Sequence, residues 1–259
     1  MKKNILFIGY GDLGSRLASI GQEDLVITGI SRSLKPTIAP DQYHSLDWFN
    51  NPAQKVDLLK NYDCLVITLT PTSFDEAGYE KGYEEGMKLI SKLVKNISFK
   101  KSLLISSTRV YKDSEEPINE FSNINSEDFR AKSLLESEAI YSKGINSSQK
   151  TIFRLSGLYD PEMKDKIFYR QVDEFQNKLI PISANLNRLS RDQAARIIMN
   201  FCINKTDLLL LNVSEPTVLA QERFEILFPE KNFDDFFRID NPGKQLDISN
   251  LLKSKLLDG

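Results

Sequence analysis

Ile5-Leu-Phe-Ile-Gly9-Tyr-Gly11-Asp-Leu-Gly14 runs a short apolar segment directly into a Gly-x-Gly-x-x-Gly loop, and that order decides the fold expected of the chain. A strand that feeds such a loop and then opens a helix is the start of a dinucleotide-binding βαβ unit. Gly9 permits the tight turn. Gly11 removes a side chain so that backbone can approach a pyrophosphate, and Gly14 lets helix and strand pack closely. The helix start offers free N–H groups and a partial positive charge to the phosphates. Gly9, Gly11, Asp12, Leu13 and Gly14 are therefore the expected cofactor contacts of the loop.

Outward from this loop, short β-branched runs alternate with longer amphipathic stretches, which predicts βα units on a parallel sheet. Strands are expected at Ile5 to Gly9, Leu25 to Ile30, Tyr43 to Leu46, Cys64 to Leu69, Leu103 to Ser107 and Thr151 to Leu155. Leu13-Leu17-Ile20 and Met87-Ile90-Leu93-Val94 recur at helical spacing and predict core-facing stripes. The charge run Glu80 to Lys88 reads as the solvated face of a helix. From Ser156 the alternation loosens through Met163 to Lys178 and a Pro181 turn. A helix over Ser190 to Cys202 and a strand over Asp207 to Val213 then return to the sheet, before helical segments near Leu219 to Leu227 and Ser249 to Leu257. The expected fold is α/β, a Rossmann doubly wound parallel sheet over residues 1–155 with a smaller C-terminal substrate lobe over 156–259, of which about 190–213 return to the sheet.

Composition narrows the function classes. At 259 residues the chain needs neither disulfides nor metal to hold a core, and 41% hydrophobic with 27% charged residues is a globular balance. A net charge of -2 gives no bias toward nucleic acid or acidic membranes. Cys64 and Cys202 lie in apolar runs, as buried thiols of a reducing compartment do. With His44 the only histidine, a Cys/His metal cluster cannot be assembled, and no metal is expected. The start Met1-Lys-Lys resembles a signal peptide until Gly9 and Gly11 break its apolar run. The expectation is a soluble, cytoplasmic protein that meets a small-molecule substrate, with no nucleic acid and no membrane; a homodimer is allowed.

At the tip of the second strand, where an Asp or Glu would take ribose hydroxyls, stands Gly29-Ile-Ser31-Arg32-Ser33. A carboxylate there would repel a 2'-phosphate, whereas Arg32 can grip one and Ser31 or Ser33 can add a hydroxyl. NADP is the expected cofactor, with NAD the alternative. The missing acid also argues against an S-adenosylmethionine methyltransferase. Arg32 as an exposed loop cation is the bland reading.

Later segments resemble the extended short-chain dehydrogenase/reductase family, the NAD-dependent epimerase/dehydratases. Leu104-Ile-Ser106-Ser107-Thr-Arg-Val-Tyr111 resembles that family's strand-end motif, in which the hydroxyl residue four before a Tyr orients substrate. Pro117-Ile-Asn-Glu120, Phe153-Arg154-Leu-Ser-Gly157-Leu-Tyr159-Asp-Pro161, Asn187-Arg188 with Asp192, and Asn212-Val-Ser-Glu-Pro216 resemble later family segments in order and spacing. The resemblance covers most of residues 4–217 and implies an NADP-dependent oxidoreductase or epimerase on a small polar, sugar-like substrate.

Two departures fall on the family's chemistry. Its YxxxK motif would place Tyr where Ser126-Glu-Asp128-Phe-Arg-Ala-Lys132 has Asp128, and Gly82-Tyr83-Glu-Glu-Gly86 has Tyr83 where the family has Asn. These losses resemble the atypical members. An Asp titrates near 3.9 against about 10 for Tyr, a gap of roughly 8 kcal/mol in proton affinity, so at pH 7 Asp128 holds no proton to donate. Asp128 and Lys132, four apart near a helix start, are expected to form an exposed ion pair, and any part for Lys132 in catalysis is electrostatic. Ser107 is the expected substrate contact, with Tyr83 or Tyr111 the phenols able to replace the missing acid. The competing expectation is a non-catalytic NADP(H)-binding sensor or interaction protein.

Overall fold

The computed structural model describes residues 1–32, 36–51, 54, 56–160, 180–181, 185–204, 206–227, 229, 237–238 and 244–257. At its centre lie β1 (Lys3–Ile8), β2 (Leu25–Ser31), β3 (Gln42–Ser45), β4 (Asn61–Thr68), β5 (Ser98–Ser107), β6 (Ser147–Leu155) and β7 (Leu210–Val213). They form one parallel sheet in the order β3-β2-β1-β4-β5-β6-β7. The helices are α1 (Asp12–Ile20), α2 (Glu76–Tyr79), α3 (Gly86–Leu93), α4 (Phe129–Gly144), α5 (Arg191–Ile203), α6 (Ala220–Leu227) and α7 (Ser249–Lys253). A π-helical turn, Glu80–Glu85, joins α2 to α3.

Period-two alternation sends each central strand into two cores. Ile5 and Phe7 of β1 and Cys64 and Val66 of β4 meet Leu17 of α1 and Ile198 and Phe201 of α5. Leu6, Ile8, Leu65 and Ile67 meet Met87 and Ile90 of α3 and Tyr141 of α4. Helices therefore cover both faces, and strands buried on both faces read as continuous apolar runs. This is the doubly wound Rossmann sheet that the strand pattern predicts.

The strands differ from expectation chiefly at their amino ends. β4 starts at Asn61, β5 at Ser98 and β6 at Ser147, because a parallel ladder continues through polar residues that no apolar run marks. Ile20, expected in the α1 stripe, is exposed at the end of that helix. α5 and β7 return to the sheet as read, β7 beginning at Leu210 rather than Asp207. Of the C-terminal lobe, much falls outside the described residues. Gly157–Tyr159 pairs in parallel with Arg188–Ser190, and Asn185–Leu186 pairs antiparallel with Val218–Leu219. Among the described residues no helix is long and apolar enough to cross a membrane.

A buried polar network fixes the carboxyl end of the sheet on the β5–β7 side. Arg154 of β6 donates through Nε and Nη2 to the two carboxylate oxygens of Glu138 on α4, at 3.0 and 2.7 Å. Ser106 donates to the same carboxylate at 2.6 Å. Arg154 Nη1 donates to the Tyr111 hydroxyl at 2.9 Å, which in turn donates to Asn212 of β7 at 2.7 Å. Both charges are more than nine-tenths buried. Removing one partner leaves the other desolvated and unpaired, so Glu138→Ala is expected to lose about 3–5 kcal/mol. The double variant Glu138→Leu/Arg154→Met is expected to recover more than half of that loss, as urea denaturation of both variants will show.

Candidate functional site

The glycine loop crosses the carboxyl ends of β1, β2 and β4, where the strand order reverses direction. Gly9 has φ +82°, and a Cβ there would sit 1.9 Å from the Thr68 carbonyl oxygen. No L side chain fits. The Thr68 hydroxyl donates to the Gly9 carbonyl at 2.7 Å, and the Gly9 and Tyr10 amides donate to the Ile30 carbonyl at 2.8 and 2.9 Å. The turn is thus pinned to both neighbouring strands.

Gly11 behaves differently. The nearest atom to a Cβ built there is the Gly9 carbonyl oxygen at 3.8 Å, so its side faces open space. Gly11 also caps α1, and no side chain covers the N–H groups at that helix start. An open approach to an uncovered helix start is the cradle a pyrophosphate needs. Gly14 makes room for a ring: its Cβ would meet Tyr10 Cδ2 at 2.6 Å. Tyr10 is fully buried, with its hydroxyl donating to the Ile38 carbonyl at 2.9 Å, and burial pushes its pKa up to about 12. Leu13 packs against the core, while the Asp12 carboxylate pairs with Arg16 and Arg191.

A cleft of about 160 Å³ opens from Gly9 and Gly11 past Arg32 toward Thr70 and Gly82. The Arg32 guanidinium lies 5.5 Å from the Trp48 ring centroid and 5.3 Å from that of Phe49, and donates to the Thr70 hydroxyl at 3.3 Å. Ser31 is buried and shares a 2.7 Å hydrogen bond with the Tyr43 hydroxyl, so that hydroxyl is spent inside the protein. Ser33 lies outside the described residues. Of the three residues expected at this strand tip, Ser31 and Arg32 both line the cleft.

Trp48, Phe49, Thr70 and Gly82 are wall residues that sequence reasoning missed. The aromatic pair directly after β3 was the available signal. Thr70 gave none beyond the end of an apolar run. Gly82 belongs to the π-helical turn, where a Cβ would strike the Thr70 carbonyl at 2.4 Å and Pro71 Cα at 2.6 Å. That close approach seats the turn on the strand end and carries Tyr83 with it.

Ser107 ends β5 half-buried, its hydroxyl accepting from the Arg109 amide at 3.2 Å. Tyr83 packs between two apolar clusters, with the Tyr79 ring 5.5 Å away and Phe129 another 5.5 Å beyond. Its hydroxyl makes no hydrogen bond among the described residues. Burial and then the neighbouring Tyr79 push its pKa up to about 12, while the Arg109 charge pulls the other way. Tyr111, the other expected phenol, is fully buried, with its hydroxyl committed to Arg154 and Asn212.

The expected ion pair on α4 is replaced by another. Asp128 caps the helix, accepting from the Arg130 amide at 3.0 Å and Arg130 Nε at 2.9 Å. A carboxylate at an N-cap folds back on the first turn and so meets the residue two ahead, not four. Lys132 gives only its amide, to the Asp128 carbonyl at 2.9 Å, and its side chain is exposed. At 100° per residue that side chain points away from the face carrying Ala131, Leu134 and Glu138 inward. The structure thus gathers Gly9, Gly11, Ser31 and Arg32 at one cleft, and Ser107, Tyr83, Tyr111 and Lys132 are not among its lining residues.

No family model and no curated protein matches the sequence. Solved structures match over nearly the full length. A proposed NAD-dependent epimerase/dehydratase from Methylobacillus flagellatus is 23% identical, with TM-score 0.68 over 98% of this chain and 92% of that one. The UDP-glucuronic acid 4-epimerase of Bacillus cereus, solved with NAD, is 16% identical, with TM-score 0.75 over 99% and 94%. The UDP-N-acetylglucosamine 4-epimerase of Methanobrevibacter ruminantium M1 is 18% identical, with TM-score 0.71 over 98% and 92%. The chain has the Rossmann fold of these proteins.

The first two glycines of the loop differ in kind, since a Cβ at Gly9 would strike backbone and one at Gly11 would meet nothing nearer than 3.8 Å. Gly9→Ala is expected to destabilise the protein by at least about 2 kcal/mol, and Gly11→Ala by less than about 0.5 kcal/mol. Thermal melts of the two variants will check the contrast.

Proposed function

We propose that this chain is a nicotinamide-dinucleotide-dependent oxidoreductase or epimerase acting on a small polar, sugar-like substrate, with NADP(H) as the preferred cofactor. The observation that carries the reading is Gly11, an open position over an uncovered helix start at the switch point of the sheet. The fold shared with NAD-bound sugar-nucleotide epimerases supports the same class. Arg32 supports NADP(H): it is the cation at the tip of β2, and no carboxylate of that strand tip competes with a 2'-phosphate. Two aromatic rings and Thr70 hold its guanidinium at the cleft.

A bound nicotinamide supplies hydride transfer. The protein must then hold the reacting oxygen and move its proton. Ser107, at the carboxyl end of β5, is the hydroxyl for the first task. Tyr83 suits the second, since at pH 7 it keeps the proton that Asp128 has lost. Ionising it at that pH costs on the order of 7 kcal/mol even with the opposing Arg109 charge counted, which suits Tyr83 to hold a proton rather than to lose one unaided.

The second reading is a cofactor-binding sensor without turnover. One observation favours it: Asp128 serves as a helix cap and Lys132 points outward, so α4 presents neither member of a Tyr–Lys pair. Turnover of bound NADPH across a carbonyl library separates the readings, because a sensor binds and oxidises nothing.

Calorimetry tests the cofactor assignment. NADPH is expected to bind at least several-fold more tightly than NADH, and Arg32→Ala to lose about tenfold or more for NADPH alone, as removal of a charge-assisted contact does. Gly11→Val is expected to abolish binding of both while the protein stays folded.

Single-turnover oxidation of NADPH, on whichever substrate the library supplies, tests the proton donor. Tyr83→Phe is expected to slow the step by on the order of 10²-fold or more, with Asp128→Asn nearly silent. Full activity in Tyr83→Phe together with its loss in Asp128→Asn would overturn the assignment.

A further inference from the structure

Cys64 and Cys202 come from opposite ends of the chain, yet their sulfurs lie 3.8 Å apart, with the Cys202 thiol donating to Cys64. Cys64 stands on β4 and Cys202 in the last turn of α5, and both are fully buried and reduced. Nothing in the proposed reaction uses them. Their surroundings are not uniformly apolar. The Lys101 ammonium reaches over from β5 to the end of α5, donating to the Phe201 and Asn204 carbonyls. Burial and the neighbouring Cys202 thiol push the pKa of Cys64 well above the ordinary thiol value, and the Lys101 charge opposes them. On the amino-end side of the sheet, a cavity of about 380 Å³ is lined by Cys202 together with Lys3, Lys100 and Lys101.

We propose that Cys64 and Cys202 are a reversible modification site, oxidised by hydroperoxides to a disulfide that ties α5 to the sheet. Cys202, on the cavity side, attacks the peroxide and gives up its thiol proton to the departing oxygen. An S–O bond forms, the O–O bond breaks, water or an alcohol leaves, and sulfur is oxidised to sulfenic acid. The Cys64 sulfur then displaces that oxygen as water and loses its proton, which forms the S–S bond. Each peroxide takes two electrons from the pair. A dithiol reductant reverses the reaction by exchange. The sulfurs need to close by less than about 2 Å to reach bonding distance.

The test treats the whole protein with hydrogen peroxide, then unfolds it and counts thiols. Both thiols are expected to disappear within one chain, the mass to fall by two hydrogens, and a linked Cys64/Cys202 peptide to appear. Dithiothreitol should restore all three readouts. The oxidised protein should melt several degrees higher, because a cross-link closing so long a loop restricts the unfolded chain. Cys202→Ala should leave Cys64 reduced under the same treatment. Cys64→Ala should stop at a Cys202 sulfenic acid that a dimedone probe captures. Two intact thiols after treatment, a disulfide between chains, or oxygen addition at either sulfur in the wild type without linkage would overturn the proposal.

Discussion

A guanidinium and a carboxylate taken out of water can remain charged only if nearly every donor and lone pair is matched, and the Arg154–Glu138 pair imposes that demand on the carboxyl end of this sheet. Glu138 on α4 takes two donors from Arg154 and one from Ser106, which sets that helix over β5 and β6. The remaining Arg154 donor draws in Tyr111, and Tyr111 draws in Asn212 on β7. The Asn212 amide donates to Glu120, which also accepts from Asn250 of α7. One buried charge pair therefore specifies where three strands, two helices and the segment after β5 come together. It also bears on how Ser107 is presented. Ser106 faces inward to Glu138, and strand alternation turns the next residue to the other side, half-exposed at the end of β5.

At the centre of the sheet the constraint is steric. Gly9 sits so close to the Thr68 carbonyl that β1 and β4 cannot part without losing the turn, and the tightness there leaves Gly11 the freedom to face open space. Tyr10 adds a demand of its own. Its ring fills the room left by Gly14 and is also close to Gly29, while its hydroxyl holds the 36–40 segment through Ile38. Two of the loop's glycines are thus explained by contacts inside the protein. Gly11 is the one left for a ligand to explain.

The parts legible in the sequence are those governed by short-range rules. Alternation and run length place the sheet strands, helical spacing places Met87 and Ile90 in a core, and glycine spacing marks the tight turn between β1 and α1. What escaped has its partners far along the chain. Arg154 and Glu138 read as ordinary charged residues, because no pattern tells a buried ion pair from a surface one. The walls around Arg32 come from separate segments, Trp48 and Phe49 after β3 and Thr70 after β4. The π-helical turn at Glu80–Glu85 shifts the helical phase by about one residue, and a plain 3.6-residue wheel does not place Tyr83 correctly across such a shift. The Asp128–Lys132 expectation failed for a local reason. Spacing of four is a rule for helix interiors, and Asp128 stands one residue outside, where its carboxylate has backbone N–H groups to satisfy.

That last misreading sharpens the chemical argument. A carboxylate that caps α4 and pairs with Arg130 has its pKa held below the ordinary aspartate value by those bonds, against a burial that opposes them. It is committed to its charged form by the same contacts that start the helix. Protonating it to make an acid would remove the cap. A proton donor must therefore come from outside the first turn of α4, from an element whose structure does not depend on the donor's charge. The π-helical turn meets that condition, because Gly82 against Thr70 and Pro71 holds it in place whatever the state of Tyr83. The same burial that keeps Tyr83 protonated makes it reluctant to let the proton go. Arg109, exposed beside Ser107 and near enough to favour the phenolate, opposes only part of this reluctance. Proton transfer in the proposed reaction thus rests on a phenol and a cation from two different segments, joined only by the fold.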